Sequence, residues 1–326
     1  MADFGEGPAV PAALRPKPSD YGYDLDQALS AIVALRARIP DDAFTAGTLG
    51  TERVGNAVLI RADGLFLTIG YLITEAEEVW LTTAEGRVLP GHVVGYDQVT
   101  GFGLVQALGR VGVPPLALGA ASHAPVGDRI VFAGAGGLAG SLAGRIVARQ
   151  EFAGYWEYLL DAAIFTAPAH PRWSGGAVIS QEGTLIGIGS LQMGHDPGDG
   201  RTRMLNMSVP IDLLKPILHE ILTLGRPDRP PRPWLGVTAS SDEGHVLLLG
   251  VTKNGPAARG GLRRGDIILA VGQQPVADLA SFFRGLWSLG PAGVDVPLVV
   301  DREGDRFEVS ITSGDRQRFL KSAPLH

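Results

Sequence analysis

Short runs of strand-forming residues, separated by glycine-containing turns, fill the chain from about residue 55 to residue 210. The runs include AVLIRADGLFLTI, EVWLTTAEGRVL, DRIVFAGA and GAVISQEGTLIGIGSL. Three of the turns carry an acidic residue followed by glycine, as tight hairpins favour: Asp63-Gly64, Glu85-Gly86 and Glu182-Gly183. Strands repeated at this spacing predict a sandwich or a pair of barrels. The 45 glycines and 23 prolines fit such a turn-rich fold and argue against a helical bundle.

Two segments have the pattern of helices. Residues 24–38 carry apolar side chains at helical spacing, and Pro40 ends the run, so one amphipathic helix is expected there. The segment IDLLKPILHEILTLG predicts a second helix that ends at Gly225, as a C-cap glycine would. Because Pro216 lies early in this segment, the helix is expected either to begin late or to be kinked there.

A stretch with four prolines in nine positions, residues 225–233, predicts a stiff linker and the main domain boundary. The remainder of the chain beyond it has the size and the β-rich pattern of a small domain. The expected division is a flexible tail at 1–20, a first domain with its helix at 21–224, the linker at 225–233, a second domain at 234–314 and a tail at 315–326.

Charge and composition limit the function. The net charge of -6 argues against a general nucleic-acid-binding face. The chain has no cysteine, so disulfides and thiolate metal sites are excluded, and no metal or cofactor is expected. No run approaches the roughly 18 to 20 apolar residues of a membrane span. The first 20 residues lack the apolar run of a signal peptide, so a cytoplasmic location is expected if Met1 is the true start, and a periplasmic one if the start lies upstream.

The order of segments in both domains resembles a known family. The first domain runs from AVLIRADGLFLT through GYDQVTG and DRIVFAGAGG to WSGGAVIS and LNMSVPIDLLKPIL; the second contains WLGV and VTKNGPAARGGLRRGDIILAVGQQPV. Over about residues 50–313 the chain is similar to HtrA/Deg serine proteases with one PDZ domain. The resemblance implies a mainly β protein, with a chymotrypsin-like double β-barrel followed by a C-terminal PDZ domain.

The resemblance also implies where catalytic groups would stand. Ser174 matches the serine nucleophile of the family. Tyr71 stands at the position of the histidine base, Gly101 at that of the aspartate, and Arg172 at that of the oxyanion-hole glycine. A tyrosine of ordinary pKa costs about 4 kcal/mol to use as a base at pH 7. Loss of the base from a triad removes about six orders of magnitude in rate. Loss of peptide cleavage is therefore expected.

Two histidines offer a different base. His170 lies close before Ser174 in the sequence, and His195 with Asp196 would complete a new triad. The simpler expectation is that both histidines are exposed loop residues. Asp97 matches the structural Gly-x-Asp turn of the family rather than its catalytic aspartate. On this reading Ser174 is retained for the Ser-Gly-Gly turn and Tyr71 fills the vacated space.

PDZ domains bind extended peptides by strand addition and capture the terminal carboxylate in a backbone loop. The resemblance assigns this loop to Leu235-Gly236-Val237, with Trp234 beside it. The helix ADLASFFRGLWSLG is expected to form the other wall of the groove, although one face of it must pack in the core. The peptide-binding residues expected are Trp234, Leu235, Gly236, Val237, Phe283, Leu286 and Trp287, with Phe282 as a further candidate.

The function expected is that of an HtrA-like pseudoprotease that binds polypeptide, or protein C-termini, as a scaffold, adaptor or regulator. The relic cleft is a second possible peptide site. The alternative is an active serine endopeptidase that uses Ser174 with an unconventional base, and a purely structural assembly protein is a third class. The resemblance implies a trimer as a possible homo-oligomer. No nucleic acid and no membrane partner is expected.

Overall fold

The computed structural model describes residues 9–196, 198 and 200–321. It divides into two compact units. The first comprises the described residues up to Gln150, Ala162–Asp228 and Lys321. The second comprises Glu151–Asp161 and Arg229–Leu320. The sequence assigned residues 151–161 to the first domain. In the structure this segment belongs to the second unit, because its contacts are with residues of that unit.

The first unit contains two closed antiparallel barrels of six strands each. The first barrel has the order β1-β2-β3-β6-β5-β4, and the second the order β10-β11-β12-β9-β8-β7. Their strands are β1 (Ile32–Arg38), β2 (Glu52–Arg61), β3 (Leu65–Ile69), β4 (Glu78–Thr82), β5 (Val88–Tyr96), β6 (Phe102–Ala107), β7 (Arg129–Ala133), β8 (Ser141–Gly154), β9 (Tyr158–Ala167), β10 (Ala177–Ile179), β11 (Leu185–His195) and β12 (Arg203–Pro210). The mainly β fold and the double barrel are confirmed.

The glycine turns identified in the sequence join adjacent strands of the barrels. Gly64 links β2 to β3, Gly86 links β4 to β5, and Gly183 links β10 to β11. All three have positive φ, which is the conformation that glycine adopts without steric cost. The prediction of hairpins at these positions is confirmed.

The single helix expected at 24–38 is wrong. Helix α1 covers only Leu25–Ser30, with Asp24 as its N-cap, and the chain then enters strand β1. Strand β1 pairs with both β2 and β4, so it closes the first barrel. Most of its side chains are buried, with exposed residues alternating near its end. Pairing on both edges outweighs the helical spacing of these apolar residues.

The second predicted helix begins late, as one of the two expectations had it. Helix α3 spans Leu218–Leu224, after a 3-10 turn at Ile211–Leu213. Gly225 follows with φ 72° and forms the left-handed C-cap. Before β2 the chain also forms the short helix α2, Ala46–Leu49.

The second unit is built around one antiparallel sheet and a helix. Its sheet has the order β13-β14-β15-β17-β18, and β16 pairs with β15. The elements are β13 (Val237–Asp242), β14 (His245–Val251), α4 (Pro256–Arg259), β15 (Ile267–Val271), β16 (Gln274–Pro275), α5 (Leu279–Ser288), β17 (Asp295–Arg302) and β18 (Asp305–Thr312). Asp278 begins α5 with a capping box that includes Ser281. The core lies between the sheet and α5.

Parts of the two expected tails are structured. Val10 is fully buried, and 3-10 turns form at Ala12–Leu14 and Pro18–Asp20, while residues 1–8 of the expected tail lie outside the described residues. Near the other end a 3-10 turn spans Arg316–Phe319, and residues 322–326 lie outside the described residues. Within the described part of the chain, no helix has the length and apolar character needed to span a membrane.

Candidate functional site

Ser174 lies in a tight turn between β9 and β10. Gly175 follows it with φ 71°, and a Cβ at this position would lie 2.0 Å from the carbonyl oxygen of Asn56. The N–H of Gly175 donates to the carbonyl of Gly189 at 2.9 Å, which ties the turn to β11. Only glycine fits at position 175, so this glycine is a requirement of the turn itself.

Asn56 on β2 holds this turn from the first barrel. Its side-chain Nδ2 donates to the carbonyls of Arg172 at 3.0 Å and Ser174 at 2.9 Å. Its Oδ1 accepts the N–H of Ala135 at 2.8 Å, and its backbone N–H donates to Ser174. The side chain is 4% exposed. Sequence reasoning missed Asn56, because its partners lie far away in the chain and nothing local marks a buried amide.

Tyr71 reaches Ser174, as the resemblance implies for the residue at the histidine position. Its 3-10 turn, Gly70–Leu72, follows β3. The Tyr71 hydroxyl lies 2.8 Å from Ser174 Oγ and donates to the carbonyl of Ser190 at 2.7 Å. Because a phenol has one hydrogen and a carbonyl only accepts, Ser174 must be the donor in the pair with Tyr71. The serine hydroxyl therefore faces an oxygen that keeps its own proton.

The electrostatics oppose a phenolate at this place. Burial raises the pKa of Tyr71 to about 12, against the lowering effect of hydrogen bonds from Ser174 and Trp173. Deprotonation at pH 7 then costs about 7 kcal/mol, at roughly 1.36 kcal/mol for each pKa unit. This cost exceeds the one expected for an ordinary tyrosine, so Tyr71 is a hydrogen-bonding partner of Ser174 and a poor base.

The backbone N–H at the position that the resemblance assigns to the oxyanion hole is bonded to a histidine. The backbone N–H of Arg172 donates to His170 Nδ1 at 3.0 Å, and His170 Nε2 lies 2.9 Å from the carbonyl of Gly140. Since Nδ1 accepts, Nε2 carries the proton and donates to Gly140. Both ring nitrogens are thus engaged. An N–H that would stabilise an oxyanion is directed at His170 instead.

The expectation that His170 is an exposed loop residue is wrong. Its side chain is fully buried and stacks on Phe132, with ring centroids 5.2 Å apart. Its backbone N–H donates to Asn206, a buried side chain that fixes the segment further. Burial lowers the pKa of His170 to about 4, so the ring is neutral near pH 7.

The remaining triad candidates contribute no base. Gly101, in the turn before β6, accepts the N–H of Gly70 at 2.6 Å through its carbonyl, and offers no side chain to the site. Asp97 accepts the N–H groups of Val99 and Thr100, which is a turn-forming role. His195 and Asp196 are exposed.

His195 also lies far from Ser174. Gly189 touches the Ser174 turn, while His195 is the last residue of the same strand, β11. A strand rise near 3.3 Å per residue places it about 20 Å further along. The structure does not bring His195 together with Ser174.

A groove of about 890 Å³ opens beside Ser174 and extends over the outer face of the first barrel. Its floor comes from β1, β2 and β4, and its edge from residues 171–174. Trp80 and Val54 are large apolar side chains in it, with exposures of 41% and 49%. Ion pairs between Arg36 and Glu52 at 2.9 Å and between Arg38 and Glu78 at 2.8 Å border the groove.

In the second unit, the backbone loop expected to capture a carboxylate has the geometry for that role. The N–H groups of Leu235, Gly236 and Val237 all point at one carboxylate, that of Glu157. Gly236 has φ 77° and a Cβ there would lie 3.0 Å from the ring of Trp234. Trp234 is 7% exposed and packs on Phe319, with ring centroids 4.7 Å apart.

The residues assigned to the helical wall divide between core and surface. Phe282, Phe283 and Leu286 on α5 are fully buried in the core of the second unit. Trp287 is partly exposed and packs against that core, and the Arg232 guanidinium lies 4.1 Å from its ring centroid. Among the described residues no group of three or more His, Asp or Glu side chains is arranged to hold a metal ion.

Comparison with known proteins agrees with this geometry. The model of the trypsin-like peptidase domain matches residues 55–188, and that of the PDZ domain matches residues 233–312. The chain therefore contains a trypsin-like peptidase domain followed by a PDZ domain, and its homologues are HtrA, DegP and DegS serine proteases. The serine protease PepD of Mycobacterium tuberculosis is 25% identical over 95% of this chain and 69% of its own length. The serine endoprotease DegS of Haemophilus influenzae is 28% identical over 69% of this chain and 67% of its own length.

Solved structures show the same fold. The HtrA-type protease AlgW with a tripeptide matches with a TM-score of 0.53 and 22% identity, over 95% of this chain and 99% of that one. The serine endoprotease from Yersinia pestis matches with a TM-score of 0.52 and 23% identity, over 90% and 98% of the two chains. HtrA-type architecture, with trypsin-like barrels and a C-terminal PDZ domain, is thereby established for this chain.

Proposed function

We propose that this HtrA-family chain binds polypeptide without cleaving it. The proposal rests on the direction of the hydrogen bonds at Ser174, that is, on which hydroxyl donates and which accepts. Tyr71 gives its only hydroxyl hydrogen to the carbonyl of Ser190, so Ser174 donates to a neutral phenol and has no base beside it.

A second defect supports the same conclusion. The Arg172 N–H is bonded to His170, which removes one donor from the position where an oxyanion would form. Loss of one such donor costs about 10² to 10³ in turnover, in addition to the loss of the base. Two independent defects make peptide cleavage by the usual acyl-enzyme route too slow to serve a protease.

Peptide binding is assigned to the PDZ domain. Three successive N–H groups at Leu235, Gly236 and Val237 converge on one point, as capture of a terminal carboxylate requires. The groove beside Ser174 is a second site of suitable size for an extended segment. On this proposal the protein acts as a scaffold, adaptor or regulator of another polypeptide.

A fluorophosphonate probe and a casein digest test the loss of cleavage. The wild-type protein and the Ser174→Ala variant are expected to behave alike in both assays, because Ser174 is not activated. Labelling and cleavage that both disappear in Ser174→Ala would instead establish an active endopeptidase with an unconventional base. A Tyr71→Phe variant then shows whether the phenol is that base, since only its hydroxyl is removed.

A library of C-terminal peptides applied to the full chain tests binding. Hits that depend on a free terminal carboxylate are expected, and the same peptides with an amidated terminus should bind at least about tenfold more weakly. Absence of any hit would favour a purely structural assembly protein. The DegP-like relatives are named probable periplasmic serine endoproteases, which is compatible with a periplasmic location for this chain.

A further inference from the structure

The tip of the β8–β9 hairpin, residues 155–157, lies on the carboxylate-binding loop. Glu157 Oε1 accepts the N–H groups of Gly236 at 2.7 Å and Val237 at 3.0 Å, and Oε2 accepts that of Leu235 at 3.1 Å. The carbonyl of Tyr155 accepts the N–H of Ala239 on β13 at 2.9 Å. The hairpin tip therefore makes one contact of each kind that a bound peptide makes.

The two kinds of contact are those that a peptide added beside β13 would make. A peptide that binds by strand addition places its terminal carboxylate on the loop and hydrogen-bonds an earlier residue to the strand. Tyr155 and Glu157 are two residues apart, as are Val237 and Ala239, the donors that they engage. Residues 155–157 form a turn rather than a strand, so the tip supplies these two kinds of contact, a carboxylate on the loop and a carbonyl on β13, without being extended.

The arms of the same hairpin contact the other wall. Arg284 on α5 forms ion pairs with Glu151 on one arm and with Asp161 on the other, the latter at 2.5 Å. Ala153 and Leu159, which flank the tip, pack against the hydrophobic core of the second unit. The hairpin segment thus contacts both β13 and α5, the two elements that border the peptide groove.

The backbone conformation and the burial of Glu157 differ from those of an ordinary exposed turn residue. Its φ is 59°, a left-handed conformation that residues with a side chain adopt rarely. The residue is 7% exposed, and its carboxylate accepts three backbone N–H groups. Burial raises the pKa of Glu157 to about 7, with the three N–H groups and the charge of Arg316 acting against that rise.

We propose that Glu157 is a tethered internal ligand of the PDZ carboxylate loop, so that an external C-terminal peptide binds only by displacing the 155–157 tip. This inference rests on the proposed function, since it assumes that the loop captures peptide carboxylates. A tethered group acts at an effective concentration in the millimolar range when its span fits. The apparent affinity for peptide falls by the fraction of molecules in which the loop is open.

Glu157→Gln in the full chain is the direct test, because it keeps the shape and removes the charge. Glu157→Gly is the second variant, since glycine accepts φ 59° without strain and removes the side chain altogether. Glu303→Gln is the matched control: Glu303 is an exposed glutamate with φ 56° in the turn between β17 and β18 of the same unit. Thermal unfolding of all variants checks that they fold.

The probe is a fluorescent mixture of decapeptides that end in Val, Leu, Ile or Phe with a free carboxylate. We expect both Glu157 variants to bind it about tenfold or more tightly than wild type, and Glu303→Gln to match wild type. Equal binding by wild type and both Glu157 variants would overturn the proposal.

Amide chemical shifts of Leu235, Gly236 and Val237, recorded without peptide, separate this inference from the function on which it rests. Shifts that move in Glu157→Gln but not in Glu303→Gln establish the internal contact in solution. If the shifts move and no variant binds peptide, the proposed peptide binding fails and competition fails with it. If the shifts stay fixed while all variants bind peptide equally, peptide binding stands and the internal ligand is refuted.

Discussion

The cleft of the first unit and the loop of the second both present backbone N–H groups suited to an anionic oxygen, and in both a side chain of the same protein occupies them. In the cleft, the Arg172 N–H is taken by His170, two residues away. In the loop, the N–H groups are taken by Glu157, which lies 78 to 80 residues earlier in the chain.

The two contacts differ in how far apart their partners lie in the chain, and this difference distinguishes a permanent contact from a replaceable one. His170 belongs to the same turn as Arg172 and is fully buried, so it cannot leave without disrupting the core around Phe132. Glu157 stands at a hairpin tip, and its departure requires only local opening of that tip. The cleft is thus closed as part of the fold, whereas the loop is closed by a group that a ligand can replace.

Rebuilding the catalytic groups has the largest expected effect. If a few substitutions restored full activity, the contrast between a permanently closed cleft and a reversibly closed loop would not hold. The variant Tyr71→His with Gly101→Asp and Arg172→Gly restores the residues that the family resemblance implies at these positions. We expect the rate of fluorophosphonate labelling at Ser174 to rise by about a thousandfold or more, because a general base returns beside the serine.

Two further variants control that experiment. The same three changes in a Ser174→Ala background must give no labelling. Tyr71→His with Gly101→Asp alone should gain less, since glycine at 172 gives the backbone N–H there more freedom to turn away from His170. No labelling in any of them would mean that the cleft is closed by more than these three positions, which would strengthen the contrast with the loop.

Much of the fold could be predicted from the sequence because local patterns determine it. The period-two runs and the turns at Gly64, Gly86 and Gly183 specify hairpins over a few residues. The helix prediction was wrong for residues 32–38 because the apolar residues of IVALRAR fit the spacing of a helix as well as that of a strand. Only pairing with strands β2 and β4 selects the strand.

The candidate site also contains contacts that the sequence could predict and contacts that it could not. The contact between Tyr71 and Ser174 followed from the order of segments, since that order specifies the barrel positions. The burial of His170 did not, because its ring meets Phe132 and Gly140, which lie 30 or more residues earlier in the chain. The contact of Glu157 was also invisible: a lone acid at a hairpin tip has the pattern of a solvated turn residue.

The stability of the wild type relative to Glu157→Gln should depend on pH. Burial raises the pKa of Glu157 to about 7 in the folded protein, from 4.5, so folding takes up a proton between these values. Its contribution is fully present below pH 4.5 and is lost as pH rises through 7, with a total change of about 3 kcal/mol. The groups that favour its charged form are the N–H dipoles of the loop and the positive charge of Arg316.

Chemical denaturation at pH 5, 6, 7 and 8 measures this difference. His170 has a lowered pKa and an effect of opposite sign, stabilising above pH 6.5 and losing that contribution as pH falls through 4. Because His170 is present in both proteins, its effect cancels in the difference. Parallel curves for the two proteins would show that the carboxylate of Glu157 is solvated, and the loop would then be open without a ligand.

Arg284→Ala should have the smallest effect on peptide affinity. It tests whether the ion pairs of α5 or the carboxylate loop hold the hairpin tip in place. Arg284 and Glu151 are about half exposed and Asp161 is mostly exposed, so each ion pair contributes at most about 1 kcal/mol and is screened by salt. We expect a two- to fivefold gain in affinity for the decapeptide mixture, which about 0.5 M salt should reproduce in the wild type but not in the variant. Arg306→Ala, an exposed arginine on β18, is the control. A gain larger than that of Glu157→Gln would move the main anchor from the carboxylate loop to α5, and the closure of the loop would then depend on surface charge.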